Sequence, residues 1–77
     1  AVMEAMAAGK PVVARNVGGI PELITDREHG RLITDRDVRA FATAVAELLD
    51  RPAEAARLGS AAAARIRREF SVDAMAT

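Results

Sequence analysis

The chain has 77 residues, 51% hydrophobic and 29% charged, with 11 basic residues against 11 acidic ones. That length holds at most one small domain with a modest core, and a formal charge of zero removes the electrostatic case for nucleic acid or an anionic membrane as partner. The absence of cysteine excludes a disulfide framework and thiolate metal sites, and the single histidine, His29, cannot form a histidine cluster for zinc. No apolar run approaches the roughly 20 residues that span a bilayer, and no signal-peptide pattern opens the chain. The expected compartment is therefore the cytoplasm. Ten of the eleven basic residues are arginine and alanine is abundant, the bias of a GC-rich bacterial genome.

The opening "AVMEAM" lies inside a helical pattern and lacks an initiator methionine, so the chain reads as a fragment. From Val2 to Ala8 the residues are apolar on every side at the helical period, which predicts a helix buried in something larger. Glu4 is its one carboxylate. Burying such a group is costly unless it is paired or bound, so Glu4 either sits at the rim and reaches outward or grips a partner. Gly9 supplies a left-handed helix stop and Pro11 cannot continue the helix.

"PVVA" then reads as a short strand buried on both faces, as in parallel sheets. "RNVGG" is the turn after it; Arg15 and Asn16 follow the strand and either face a cleft or, the preferred reading, sit in a solvated turn. Pro21 suits the first position of a brief helix "IPELI", and Glu22 suits its first turn electrostatically. "TDREHG" is an exposed turn that carries His29 and ends at Gly30, and "RLI" is a second strand. Asp37 is the expected N-cap of a helix whose Val38, Phe41, Ala42, Val45, Leu48 and Leu49 form an apolar core stripe. Pro52 breaks the chain after it. "AEAARLG" predicts a short helix closed near Gly59, with Ser60 capping the next. There Ala62, Ile66 and Phe70 share one face, while Arg65, Arg67, Arg68 and Glu69 face water. Ser71 is the expected cap of a final turn.

The order predicts an α/β fold with right-handed crossovers. Residues 1–36 form the helix-strand-helix-strand part of a sheet, and residues 37–77 form a helical tail. Two short parallel strands are too few to hold a sheet in water, so further strands are expected before Ala1. The exposed strand edge of an isolated piece should favour self-association.

The succession "EAMAAGKPVVA", "NVGGIPELI", "GRLI", "DVRAFATAVAELLD" and "LGSAAAARIRREFS" resembles the C-terminal part of a retaining GT-B-fold glycosyltransferase. It is most similar to family 4, often called group 1. The resemblance covers essentially the whole chain and rests mainly on the first two motifs. It implies a Rossmann-like nucleotide-sugar-binding domain, represented here by its C-terminal part. It also implies a metal-independent hexosyltransfer, with retention of configuration, from a nucleoside-diphosphate sugar to an acceptor hydroxyl.

No catalytic residue, metal ligand or cofactor is carried over onto this chain. The family signature is a spaced pair of glutamates. The second stands in the "EAMA" box and corresponds to Glu4, which by resemblance accepts hydrogen bonds from the donor's ribose hydroxyls. That role suits an ionised carboxylate, whose two acceptor oxygens match two adjacent hydroxyl donors. The first glutamate, the basic residues for the donor diphosphate and the acceptor-binding domain would all lie upstream, so the piece alone should be inactive. Gly18 and Gly19, from the "VGGIPE" box, are assigned to the wall of the donor cleft.

Each assignment has a structural alternative. Glu4 can pair with Lys10 or an arginine, and Gly18 and Gly19 can simply form a tight turn. Glu22 fits a dipole-complementing residue better than a catalytic one. His29 is expected to have no chemical role, and Arg65, Arg67 and Arg68 form a wet helix face without aromatic residues for base stacking. Two other function classes fit the same residues: a GT-B-fold nucleotide-sugar epimerase and a non-catalytic interaction module.

Overall fold

The computed structural model describes residues 2–70. In chain order these form α1 (Val2–Ala7), β1 (Val13–Arg15), α2 (Ile20–Leu23), β2 (Arg31–Ile33), α3 (Val38–Asp50) and α4 (Pro52–Glu69). The expected α/β class is present, with two parallel strands and helices on the flanks. The predicted cap on Ser71 and the turn after it lie outside the described residues.

Helix α1 ends as its sequence dictates. Gly9 adopts φ +75°, and its N–H donates to the Met6 carbonyl at 3.0 Å while the Lys10 N–H reaches the Ala5 carbonyl at 3.1 Å. This is a Schellman closure, which needs a left-handed residue that glycine supplies without strain. Burial on every side is not found. Met6 is buried, with Val2, Met3 and Ala5 packed against the same cluster, whereas Glu4, Ala7 and Ala8 share an exposed face. Positions i, i+3 and i+4 lie together on a helix, so one stripe of α1 faces the core and the opposite one faces water.

Strand β1 starts two residues later than expected and is not buried on both faces. Val12 is buried just ahead of it, Val13 and Ala14 are half-buried, and Arg15 is exposed. The register pairs Val13 with Arg31, Ala14 with Leu32 and Arg15 with Ile33. β2 is the predicted "RLI". Helix α2 begins at Ile20, which puts Pro21 one position deeper than expected but still in the first turn, where its missing N–H removes no helix bond.

Asp37 caps α3 as predicted, accepting from the Arg39 N–H at 2.9 Å. The side-chain hydrogen bond from Arg39 holds the Asp37 carboxyl below the usual carboxylate range. The apolar stripe needs correction at three positions, because Val38 is 71% and Leu49 78% exposed and Ala42 is exposed as well. The packing face is instead centred on buried Ala44, flanked by half-buried Ala40, Phe41, Val45 and Leu48. Small side chains at 40 and 44 allow α3 to approach, and that shifts the contact line off Val38 and Leu49.

The larger correction concerns the tail. Residues 52–69 form one continuous helix, with Gly59 buried in its interior and neither a stop at Gly59 nor a start at Ser60. The glycine serves packing. A Cβ at position 59 would run into the carbonyl oxygen of Gly9 and lie 3.0 Å from its carbon, with the Lys10 carbon at 3.3 Å. The α1–β1 turn thus rests directly on the α4 backbone. Beyond it Met6, Val12, Ile24, Ala62 and Ile66 form the core, which Phe70 closes.

Candidate functional site

In an open parallel sheet, ligands gather at the carboxyl ends of the strands. Here those ends are Arg15 and Ile33. They open onto a groove of about 470 Å³ lined by Arg15, Asn16, Val17, Ile33, Thr34 and Arg36. Its floor is fixed by two hydrogen bonds between segments distant in sequence. The Asn16 N–H donates to the Ile33 carbonyl at 3.0 Å, and Asn16 Nδ2 donates to Thr34 Oγ1 at 3.2 Å. The Arg15 guanidinium lies over the Phe41 ring, 5.5 Å from its centroid. Such stacking restrains a long side chain while leaving its N–H groups free. Arg15 and Asn16 are exposed, as expected, and they also face the groove, the alternative reading of their position after a strand; Thr34 and Arg36 were not singled out from sequence. The available signal was position, since all four lie at or within three residues of the end of a strand.

Glu4 sits in the first turn of α1 with its carboxylate exposed. Among the described residues no cation pairs with it, neither Lys10 nor an arginine, and no side chain or backbone group donates to it. Its neighbours Val2 and Met3 pack against the same apolar cluster as Ile20 and Leu23 of α2.

Gly18 and Gly19 follow the groove and are exposed. Gly18 takes φ +54°, and a Cβ built on either residue meets nothing within 4 Å. Gly18 is therefore required by its own turn, while no neighbour within the described residues crowds either position. Glu22 lies exposed in the first turn of α2.

His29 departs from expectation, being only 7% exposed. Its Nδ1 accepts from the Thr25 N–H at 3.2 Å, and its own N–H donates to the Thr25 carbonyl at 3.1 Å. Burial pushes its pKa below the ordinary histidine value, and the nearby Arg65 charge pushes it the same way. The cover comes from α4, which also corrects the wet-face reading of Arg65. That side chain is 19% exposed and pairs with Glu69 at 3.2 Å, while its Nη2 donates to the Glu22 carbonyl at 2.8 Å. Arg57 does the same for the Arg27 carbonyl at 2.9 Å. Both α2 and the segment that follows it are thus strapped to α4, and Arg67 and Arg68 remain in water.

Among the described residues no group of three His, Cys, Asp or Glu side chains converges as metal ligands do. None of their helices is long and apolar enough to cross a membrane.

Comparison with known proteins bears on this geometry. The family described as "Glycosyl transferases group 1" matches residues 1–65. The chain is 40% identical over 75 residues to a glycogen synthase of Mycobacterium tuberculosis, covering 97% of this chain and 18% of that protein. It is 44% identical over 61 residues to a D-inositol 3-phosphate glycosyltransferase of Streptomyces avermitilis, covering 79% of this chain and 13% of that one. Among solved structures, the sucrose-phosphate synthase of Thermosynechococcus elongatus superposes with a TM-score of 0.86 at 38% identity, over 96% of this chain and 18% of that one. The chain therefore spans less than a fifth of the length of these relatives.

Proposed function

The chain belongs to the group 1 glycosyl transferases, and we propose that it forms the ribose-recognising part of the donor site in a retaining, nucleotide-sugar-dependent glycosyltransferase. The reaction would move a glycosyl group from a nucleoside-diphosphate sugar to an acceptor hydroxyl. The observation that carries this reading is the state of Glu4, a carboxylate in the first turn of α1, exposed and without a cation among the described residues.

An ionised carboxylate offers two acceptor oxygens, and the vicinal hydroxyls of ribose offer two donors at matching separation. Charge-assisted hydrogen bonds of this kind are roughly twice as strong as neutral ones, which suits a residue that positions the donor. Glu4 performs no bond chemistry in this scheme. It fixes the nucleotide so that the sugar is presented to groups elsewhere in the enzyme, and orientation of that kind contributes directly to rate. The exposed Ala7 and Ala8 beside it leave no side-chain bulk between that face of α1 and an incoming nucleoside. Gly18, turning at positive φ beyond β1, supplies a wall without a side chain.

The test is titration calorimetry with nucleoside diphosphates on the full-length enzyme carrying this chain. Glu4→Ala should weaken binding by about tenfold or more, the value of one charge-assisted hydrogen bond. Unchanged affinity, with an unchanged circular dichroism spectrum, would retire the assignment.

A further inference from the structure

Two arginines line the groove at the strand ends, and neither is neutralised. Among the described residues Arg15 has no carboxylate partner and is held instead by the Phe41 ring. Arg36 has none either. The acidic residues that flank Arg36 in the chain are both engaged: Asp35 accepts from the Asp37 N–H at 2.8 Å, and Asp37 holds the Arg39 guanidinium at 2.8 Å. The same groove is lined by the Asn16 amide, which donates to the Thr34 hydroxyl, and both groups can also donate or accept outward.

From this arrangement we infer that the groove is a phosphoryl-binding subsite for a phosphorylated small molecule, with Arg15 and Arg36 on the phosphoryl oxygens and Asn16 and Thr34 on neighbouring hydroxyls. The guanidinium fork matches the oxygen spacing of a phosphoryl group and stays charged at any working pH. Two cations of one sign facing one concavity raise the local anion concentration. Stacking on Phe41 pre-orders Arg15, so less rotamer freedom is lost on binding. The groove's volume, about 470 Å³, is that of a small-molecule site, larger than a lone anion requires. The subsite does not depend on the Glu4 reading, because Glu4 is not among its lining residues.

The phosphoryl group could belong to a nucleoside diphosphate or to a phosphate monoester on another substrate, and the experiment separates these sources. The full-length protein is titrated with glucose 6-phosphate and with UDP, each followed by calorimetry. Arg15→Ala and Arg36→Ala should each weaken at least one of these probes by about tenfold or more, as expected for loss of one charge-assisted contact. Arg67→Ala, an exposed arginine outside the groove, should leave both affinities unchanged, and raising the salt concentration should weaken binding in the wild type.

If saturating UDP displaces glucose 6-phosphate and the arginine variants weaken both, the phosphoryl group is the nucleotide's. If both bind together and only glucose 6-phosphate is weakened, it belongs to a second substrate. Glu4→Ala serves as a separate arm. Loss of UDP affinity there, with glucose 6-phosphate unaffected, tests the ribose assignment independently of the groove. An Arg15→Ala/Arg36→Ala double variant that folds normally and binds both probes as the wild type does would overturn the inference. So would failure of the wild-type protein to bind either.

Discussion

Gly59→Ala isolates the packing claim best, because two effects of opposite sign meet at one residue. Gly59 lies inside the continuous helix α4. At an ordinary helix interior, replacing glycine by alanine stabilises by about 1 kcal/mol. Here the new methyl would point at the Gly9 carbonyl, 3.0 Å from its carbon, with the Lys10 carbon at 3.3 Å. Neither atom is the end of a flexible side chain. Both are backbone, and Gly9 is pinned at φ +75° by the closure of α1. The turn cannot step back without breaking those bonds, so α4 must move away and loosen the packing of its Ala62 and Ile66 against Met6. Overpacking of a close-packed interior costs about 1–3 kcal/mol, and a site walled by backbone belongs in the upper half of that range, about 2–3 kcal/mol. After the gain in helix propensity, the net loss should be about 1–2 kcal/mol, or a melting temperature lower by very roughly 4–16 °C for a domain of this size. Urea and thermal unfolding followed by circular dichroism read this directly. Ser60→Ala, the next and exposed residue, is the control and should be neutral or slightly stabilising. A Gly59→Ala midpoint equal to or above the wild type would refute the argument that backbone contact selects glycine here.

Further outcomes follow from the buried polar groups. His29 has a lowered pKa, so the unfolded chain takes up its proton at higher pH than the folded one. The stability it contributes is complete above the ordinary histidine value near 6.5, and is lost as pH falls through the depressed folded value. Charging would also place a proton on Nδ1, which now accepts from the Thr25 N–H. Unfolding midpoints measured from neutral to mildly acid pH should therefore fall, and His29→Gln should flatten that slope; an unchanged slope in the variant contradicts the burial account. Arg31, 12% exposed, joins β2 to Asp26 at 3.1 Å and to Glu47 of α3 at 2.9 Å. Arg31→Ala should destabilise by about 1–3 kcal/mol in denaturant unfolding, since two charge-assisted bonds are lost. Arg39→Ala, whose pair with Asp37 is a surface one, should shift the midpoint little, and equal effects of the two variants would count against the bridge.

What the sequence disclosed and what it concealed divide along physical lines. Gly9, the "RLI" strand and the Asp37 cap were legible because each is decided within a few residues, by a left-handed turn, an apolar run or a short side chain reaching an adjacent N–H. Gly59 was misread because glycine is a stop signal locally, whereas its actual role is set by a turn fifty positions earlier in the chain. His29 seemed exposed for a similar reason, since the α4 side chains that cover it are remote from "REHG".

The apolar stripe of α3 had the right period, but its contact line depends on how closely Ala40 and Ala44 let the helix approach. At the site, Glu4 stood out as a lone charge in an apolar box and could be matched to a family motif. The groove could not be assembled in advance, because Arg15 and Asn16 meet Thr34 and Arg36 only through the pairing of β1 with β2.

The most direct measurement of the central claim is a thermodynamic cycle on the full-length enzyme, crossing Glu4→Ala with a nucleoside diphosphate that lacks its 2′ and 3′ hydroxyls. If Glu4 binds those hydroxyls, each single change should weaken binding by roughly tenfold or more, and both together should weaken it no further. Losses that simply multiply would contradict the account, because the carboxylate and the diol would then act independently.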